Sequence, residues 1–268
     1  MSTDSFKEAA QQRPQFGVGI MYPAAGIIES IGAGWDWIWL DTQHGQADYS
    51  ILLEMVRTSQ AMKLAAIVRP ASHEQGTLGR VMDMAPDGLI IPQVDTVEQA
   101  QKIVSATRFP PLGDRSYGGR RVIDKGGRGY YQSANEQVTV LVQIESPEAI
   151  DNAEAIASVD GIDGLFFGPD DVKMRLGLPI DSSLGEPQLA AALESVSQSA
   201  RSAGKLCGCV AVTQQAAKQV VDAGYRVIVA TADVALLRTS VALKLAEFKP
   251  LRDQTGLKAN AGDMSSSY

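Results

Sequence analysis

Five short apolar runs in this chain end in polar residues whose types suit acid–base and metal chemistry. They close in Asp41-Thr42-Gln43-His44, Arg69-Pro70, Pro92-Gln93, Gln143-Ile144-Glu145 and Gly168-Pro169-Asp170-Asp171. Glu145 with one of Asp170 and Asp171 offers an all-oxygen donor set, which suits Mg²⁺ or Mn²⁺ and leaves coordination positions open. Two facing carboxylates without a cation repel, and one of them tends to take up a proton. The plain alternative is that both acids cap the helices that follow. Asp41 stands three residues before His44, and a histidine beside a carboxylate suits a general base near neutral pH. Arg69 ends an apolar run, where a cation needs an anion. That anion is either a substrate carboxylate or developing enolate oxygen, or a neighbouring acid of the chain. His73 precedes a helix start and takes a structural role.

Something must bring these groups to one place. From Gln15 to Phe248 short apolar runs alternate with longer helical patterns. The predicted strands are 16–21, 35–41, 64–69, 88–94, 138–145, 164–168, 206–212 and 226–232. Runs this short and this apolar fit parallel strands covered on both faces. Helices are predicted over 24–33, 49–62, 74–84, 97–107, 147–158, 187–203, 214–223 and 234–248, with Gly34, Gly204 and Gly224 as stops. Eight such units in 268 residues predict a single (β/α)₈ TIM barrel over 1–249, whose chemistry sits at the C-terminal strand ends. GVGIMYPAAG (17–26) lacks the third glycine of a dinucleotide fingerprint.

Two segments break the pattern. Residues 108–135 are long for a barrel connection and carry Arg108, Arg115, Arg120, Arg121, Lys125 and Arg128. This basic stretch would either close over an anionic substrate or form a subunit contact. Residues 250–268 are polar and Ser/Gly-rich and predict a mobile tail. The net charge of −7 argues against nucleic acid and anionic membranes as partners. No run approaches the ~18 apolar residues of a membrane span, and the N-terminus lacks a signal-peptide pattern, so a cytoplasmic protein is expected. Cys207 and Cys209 would share a strand face as buried small hydrophobes, poorly placed for a disulfide.

WDWIWLDTQHG (35–45), IVRP (67–70), DGLIIPQV (87–94), RFPPLGDRS (108–116), VQIES (142–146) and GPDDV (168–172) occur in this order. Together they resemble the class II, metal-dependent pyruvate aldolases of the 4-hydroxy-2-oxoheptane-1,7-dioate and 2-dehydro-3-deoxyglucarate aldolase type, the group of macrophomate synthase. The resemblance spans roughly 17–249. It implies Glu145 and Asp171 as metal ligands, with Mg²⁺ or Mn²⁺ expected and Co²⁺ or Zn²⁺ as alternatives. It implies His44 as the base, oriented by Asp41, and Arg69 at the keto oxygen. Gln143, Gly168, Pro169, Asp170 and Val210 would line the substrate, and Asp83 would lie near the site and a subunit contact. A homo-oligomer, trimer or hexamer, is implied, often with the last helix exchanged between neighbours. Two departures stand out. Gln43 replaces the usual Glu before the histidine, which removes a negative charge there, and Ser116 follows Arg115 in place of Gly.

The implied reaction is reversible cleavage of a 4-hydroxy-2-oxo acid to pyruvate, or a similar 2-oxo acid, and an aldehyde, through an enolate held at the metal. Lys63 and Lys205 fall at the wrong strand ends for a Schiff base. The rival readings are a metal-dependent acyl-CoA thioester lyase, which only the basic segment favours, and a non-catalytic 2-oxo-acid-binding barrel, which would not need the base.

Overall fold

The computed structural model describes residues 5–254. Eight strands run parallel in sequence order and close on themselves: β1 (Gln15–Ile20), β2 (Trp37–Asp41), β3 (Ala65–Arg69), β4 (Gly88–Ile91), β5 (Thr139–Ile144), β6 (Gly164–Phe167), β7 (Leu206–Val210) and β8 (Val227–Ala232). The expected TIM barrel is the fold found. Each strand is apolar on both faces because both are covered. Trp37, Trp39, Ile67, Ile90, Leu141, Phe166, Leu206, Val227 and Val229 fill the interior. Val18, Ile38, Leu40, Val68, Leu89, Val140, Val142, Leu165 and Ile228 face the outer helices. Trp37 fits only because β1 carries Gly17 beside it, where a Cβ would lie 2.4 Å from the indole ring.

The end of the barrel away from the strand C-termini is plugged by a helix not anticipated above, Phe6–Gln12. Ser5 and Glu8 form its capping box, and Phe6 and Ala10 join the interior cluster. The Phe6 ring lies 5.7 Å from Trp37, a burial that contributes on the order of 2 kcal/mol.

The 108–135 segment lies at this same end. It follows helix Val97–Thr107 and feeds the start of β5, and it contains helices Arg120–Gly126 and Tyr131–Gln137. Arg108 is fully buried and makes four hydrogen bonds. Its guanidinium donates to the carbonyls of Gly161, Asn135 and Val138 at 2.7–3.0 Å and to Asp163 at 2.5 Å. The basic segment therefore cannot close over its own barrel's strand C-termini, which corrects one of its two expected roles. Asp83 caps helix Gln75–Met82 and faces Arg115 at 3.5 Å. It too lies at the far end, away from the site within its own subunit.

The last helix, Asp233–Gln254, passes the boundary expected at 249 and includes Pro250. The rest of the predicted tail, 255–268, lies outside the described residues. The last helix touches β1 and β8; Asp233 at its start is buried, and every side chain from Leu237 to Arg252 is exposed. Among the described residues no helix is long and apolar enough to cross a membrane. Cys207 and Cys209 are free and buried in the outer layer. Burial pushes the Cys207 thiol up to about 12 and that of Cys209 well above its usual value.

Candidate active site

The strand C-termini gather most of the predicted groups on one rim. Asp41 ends β2 and pairs in register with Arg69 at the end of β3. Both are buried. Arg69 Nε and Nη2 reach Asp41 Oδ1 and Oδ2 at 2.9 and 2.5 Å, a two-pronged pair. The guanidinium also lies over the Trp39 ring, 4.6 Å from its centre. The ion pair and the aromatic face together fix one orientation of Arg69. Of the two anions weighed for Arg69, the acid of the chain itself is present, and a substrate oxygen can still be met by the remaining donors.

Asp41 Oδ1 also accepts the main-chain N–H groups of Gln43 and His44 at 3.0 and 3.3 Å. Asp41 thus holds the His44 loop through its backbone. Gly45 makes the tight turn that follows, where a Cβ would meet the Asp41 carbonyl at 2.1 Å. His44 stands exposed on the rim. Gln43, at the position where a glutamate was anticipated, buries a side-chain oxygen that has no hydrogen-bond partner.

Glu145 follows β5 and is 2% exposed. The Gln93 main-chain N–H donates to its Oε1 at 2.8 Å and Gln143 Nε2 to its Oε2 at 3.1 Å. Its pKa is raised first by burial and then by the charge of Asp171, against the Gln93 hydrogen bond, Arg69 and Arg175. On the β6 side Gly168 leaves room for it, since a Cβ there would lie 2.9 Å from Glu145 Cβ and Oε2. Gly168, buried Pro169, Asp170 and Asp171 open helix Pro169–Arg175. Asp170 is engaged by Lys173 at 2.9 Å, whereas Asp171 lies close enough to Glu145 to oppose its ionisation. Val210 ends β7, half-buried on the same rim.

A cation resolves the tension in this pair. The donors are hard carboxylate oxygens, the glycine leaves space, and burial with mutual repulsion disfavours two bare charges. The residues therefore fit a divalent metal between Glu145 and Asp171. Among the described residues no group of three or more His, Cys, Asp or Glu converges, here or elsewhere, so the protein offers two carboxylates and leaves the other positions to water and substrate.

Three residues, Trp39, Lys173 and Arg175, escape a reading of the strand ends alone, and a fourth, Gln93, stands at a strand end but without the role it takes. Trp39 shares the inward face with Asp41 by strand alternation, a signal present in WDWIWLD. Gln93 acts through its main chain, which composition does not reveal. Lys173 and Arg175 lie on a short helix whose direction only the fold supplies.

Comparison with known proteins shows the family. The HpcH/HpaI aldolase/citrate lyase family matches residues 24–240. The chain belongs to this family. It is therefore an aldolase-type lyase, and the family depends on a divalent metal ion. Among relatives, a 4-hydroxy-2-oxovalerate aldolase of Novosphingobium aromaticivorans is 37% identical over 232 residues, covering 84% of this chain and 87% of that one. A 2-keto-3-deoxy-L-rhamnonate aldolase of Salmonella typhi is 32% identical over 261 residues, covering 96% and 97%. Macrophomate synthase superposes with a TM-score of 0.84 at 25% identity, over 96% of this chain and 92% of that one. The resemblance drawn from the six motifs is borne out at the level of family, fold and reaction class.

Proposed function

We propose that this aldolase reversibly cleaves a 4-hydroxy-2-oxo acid to pyruvate, or a pyruvate-like 2-oxo acid, and an aldehyde, with Glu145 and Asp171 holding Mg²⁺ or Mn²⁺. The observation that carries the reading is the buried Glu145, with Gly168 leaving space beside it and the charge of Asp171 opposing its ionisation, on one rim with the Asp41–Arg69 pair. When bound, the cation supplies Lewis acidity to the 2-oxo group. His44 takes the proton of the 4-hydroxyl group as the C3–C4 bond breaks. The bond's electron pair stays with the three-carbon fragment as an enolate, and the aldehyde leaves. Arg69, pre-aimed by Asp41 and Trp39, faces the enolate oxygen where negative charge develops. Protonation at C3 completes pyruvate. Gln143, Gly168 and Pro169 seat the carboxylate end, and Val210 and Asp170 border the aldehyde side.

The thioester-lyase alternative loses its one support, because the basic segment lies at the opposite barrel end. That position favours its other expected role, a contact with a neighbouring copy. A homo-oligomer, trimer or hexamer, is supported by the last helix as well. Its exposed Leu237, Val241, Leu245 and Phe248 recur at helical spacing. A groove of about 780 Å³ lined by Phe16, Ala217, Val221 and Ala230 lies where the helix after β8 would pack in a closed barrel. We infer that a neighbour's helix packs there.

The test is pyruvate release from a panel of 4-hydroxy-2-oxo acids, with and without Mn²⁺. Activity abolished by EDTA and restored by metal is expected, and Glu145→Gln or Asp171→Asn should remove it. Full turnover in excess EDTA overturns the metal assignment.

A further inference from the structure

β4 pairs with β5 from Gly88–Thr139 to Ile91–Val142. Continued in register, the ladder would set Pro92 against Gln143 and Gln93 against Ile144. It does not continue. Pro92 has no N–H to give, and Gln93 takes φ 59, a left-handed conformation that a non-glycine residue adopts only at a cost. The reversal turns two successive N–H groups toward β5. That of Gln93 donates to Glu145 Oε1 at 2.8 Å, and that of Val94 to the Gln143 carbonyl at 3.3 Å. The side chain of the same Gln143 holds the other Glu145 oxygen. Each oxygen then carries one hydrogen bond and keeps lone-pair capacity for a cation. Gln93 itself leaves its side chain exposed.

We propose that Gln93 is a positioning residue for the metal. Its strained main chain, not its side chain, aims an N–H at Glu145 and holds that carboxylate ready for the cation. The inference rests on the reading of Glu145 as a metal ligand. A strained backbone at such a point is maintained because the ordered carboxylate no longer has to freeze its torsions when the ion arrives.

The experiment is a Mn²⁺ titration of the metal-stripped full-length protein, following free Mn²⁺ by electron paramagnetic resonance. Four variants rank the backbone preference: Gln93→Gly, Gln93→Asn, Gln93→Ala and Gln93→Val. Glycine and asparagine tolerate left-handed φ and should bind within about threefold of wild type. Alanine should be intermediate, and valine, β-branched and disfavoured there, should bind roughly tenfold or more weakly. Pyruvate release should fall in the same order at low Mn²⁺ and recover at saturating Mn²⁺, a split that general unfolding does not produce. If the valine variant does not fold, the order among glycine, asparagine and alanine decides. Wild-type affinity in every variant overturns the proposal, as does glycine binding as weakly as valine or alanine, which would assign the role to the side chain. Glu145→Gln separates the two levels. If it binds Mn²⁺ like wild type, the metal reading itself fails and the proposal with it. If it loses Mn²⁺ while the Gln93 series does not vary, only the proposal fails.

Discussion

At the scale of single residues, the proposed function divides the rim between groups that meet substrate and groups that aim them. His44 is exposed and held by its backbone, so its imidazole can be removed without disturbing the metal pair. His44→Ala should lower kcat by roughly 10²–10⁴-fold and leave Mn²⁺ affinity unchanged; a loss of metal binding would instead make it a ligand. Gly168 offers the converse test. Its φ of −97° is open to alanine, so the added methyl acts only through its 2.9 Å approach to Glu145. Gly168→Ala should fold normally, weaken Mn²⁺ binding and raise the metal concentration needed for half-maximal activity. Thermal unfolding of the metal-free protein compared with wild type, together with the titration, checks both halves.

At the scale of elements, the strand C-termini carry the proposed site and the opposite end carries the buried Arg108 ion pair. Arg108 ties the start of the 108–137 segment to the loop before β6 through Gly161 and Asp163 and to the segment's own end through Asn135 and Val138. Arg108→Met would leave three part-buried carbonyls and Asp163 without that donor, and Lys7 at 3.0 Å would be the ion partner left to Asp163. Breaking a buried pair in this way costs about 3–5 kcal/mol, which urea unfolding would measure, while the metal site should keep its affinity. The eight strands were legible because each is a continuous apolar run, and the strand-end rule placed Asp41, Arg69, Glu145 and Asp171 on one rim. The helix Val97–Thr107 is legible to the residue, since Thr96 and Gln99 form its capping box. The predicted helix over 147–158 is in fact two short ones, Pro147–Asp151 and Ala153–Ala157, meeting at Asn152. An apolar period alone does not register that break. Helix Phe6–Gln12 has only Phe6 and Ala10 on its buried face, too sparse a pattern to stand out before the barrel supplies its partner. The end at which the basic segment lies follows from the order helix, segment, strand. Its charge alone suggests a substrate, and that suggestion is the one the topology removes.

At the scale of the whole molecule, the chain is a closed sheet with an incomplete coat. Seven intervals between strands carry their own helices, while the last helix leaves the barrel after its first turns and shows an apolar stripe to solvent. Placing charge on that stripe with Leu245→Glu and Phe248→Glu should dissociate the assembly into smaller species, as read by light scattering. An unchanged molar mass would exclude the stripe as the contact. If the groove beside β8 is filled by a neighbour's helix, the coat of each barrel is completed by another chain. Its folding equilibrium then contains the protein concentration as a reactant. The unfolding temperature of the wild-type protein should rise with concentration, and dilution alone should act as a mild denaturant.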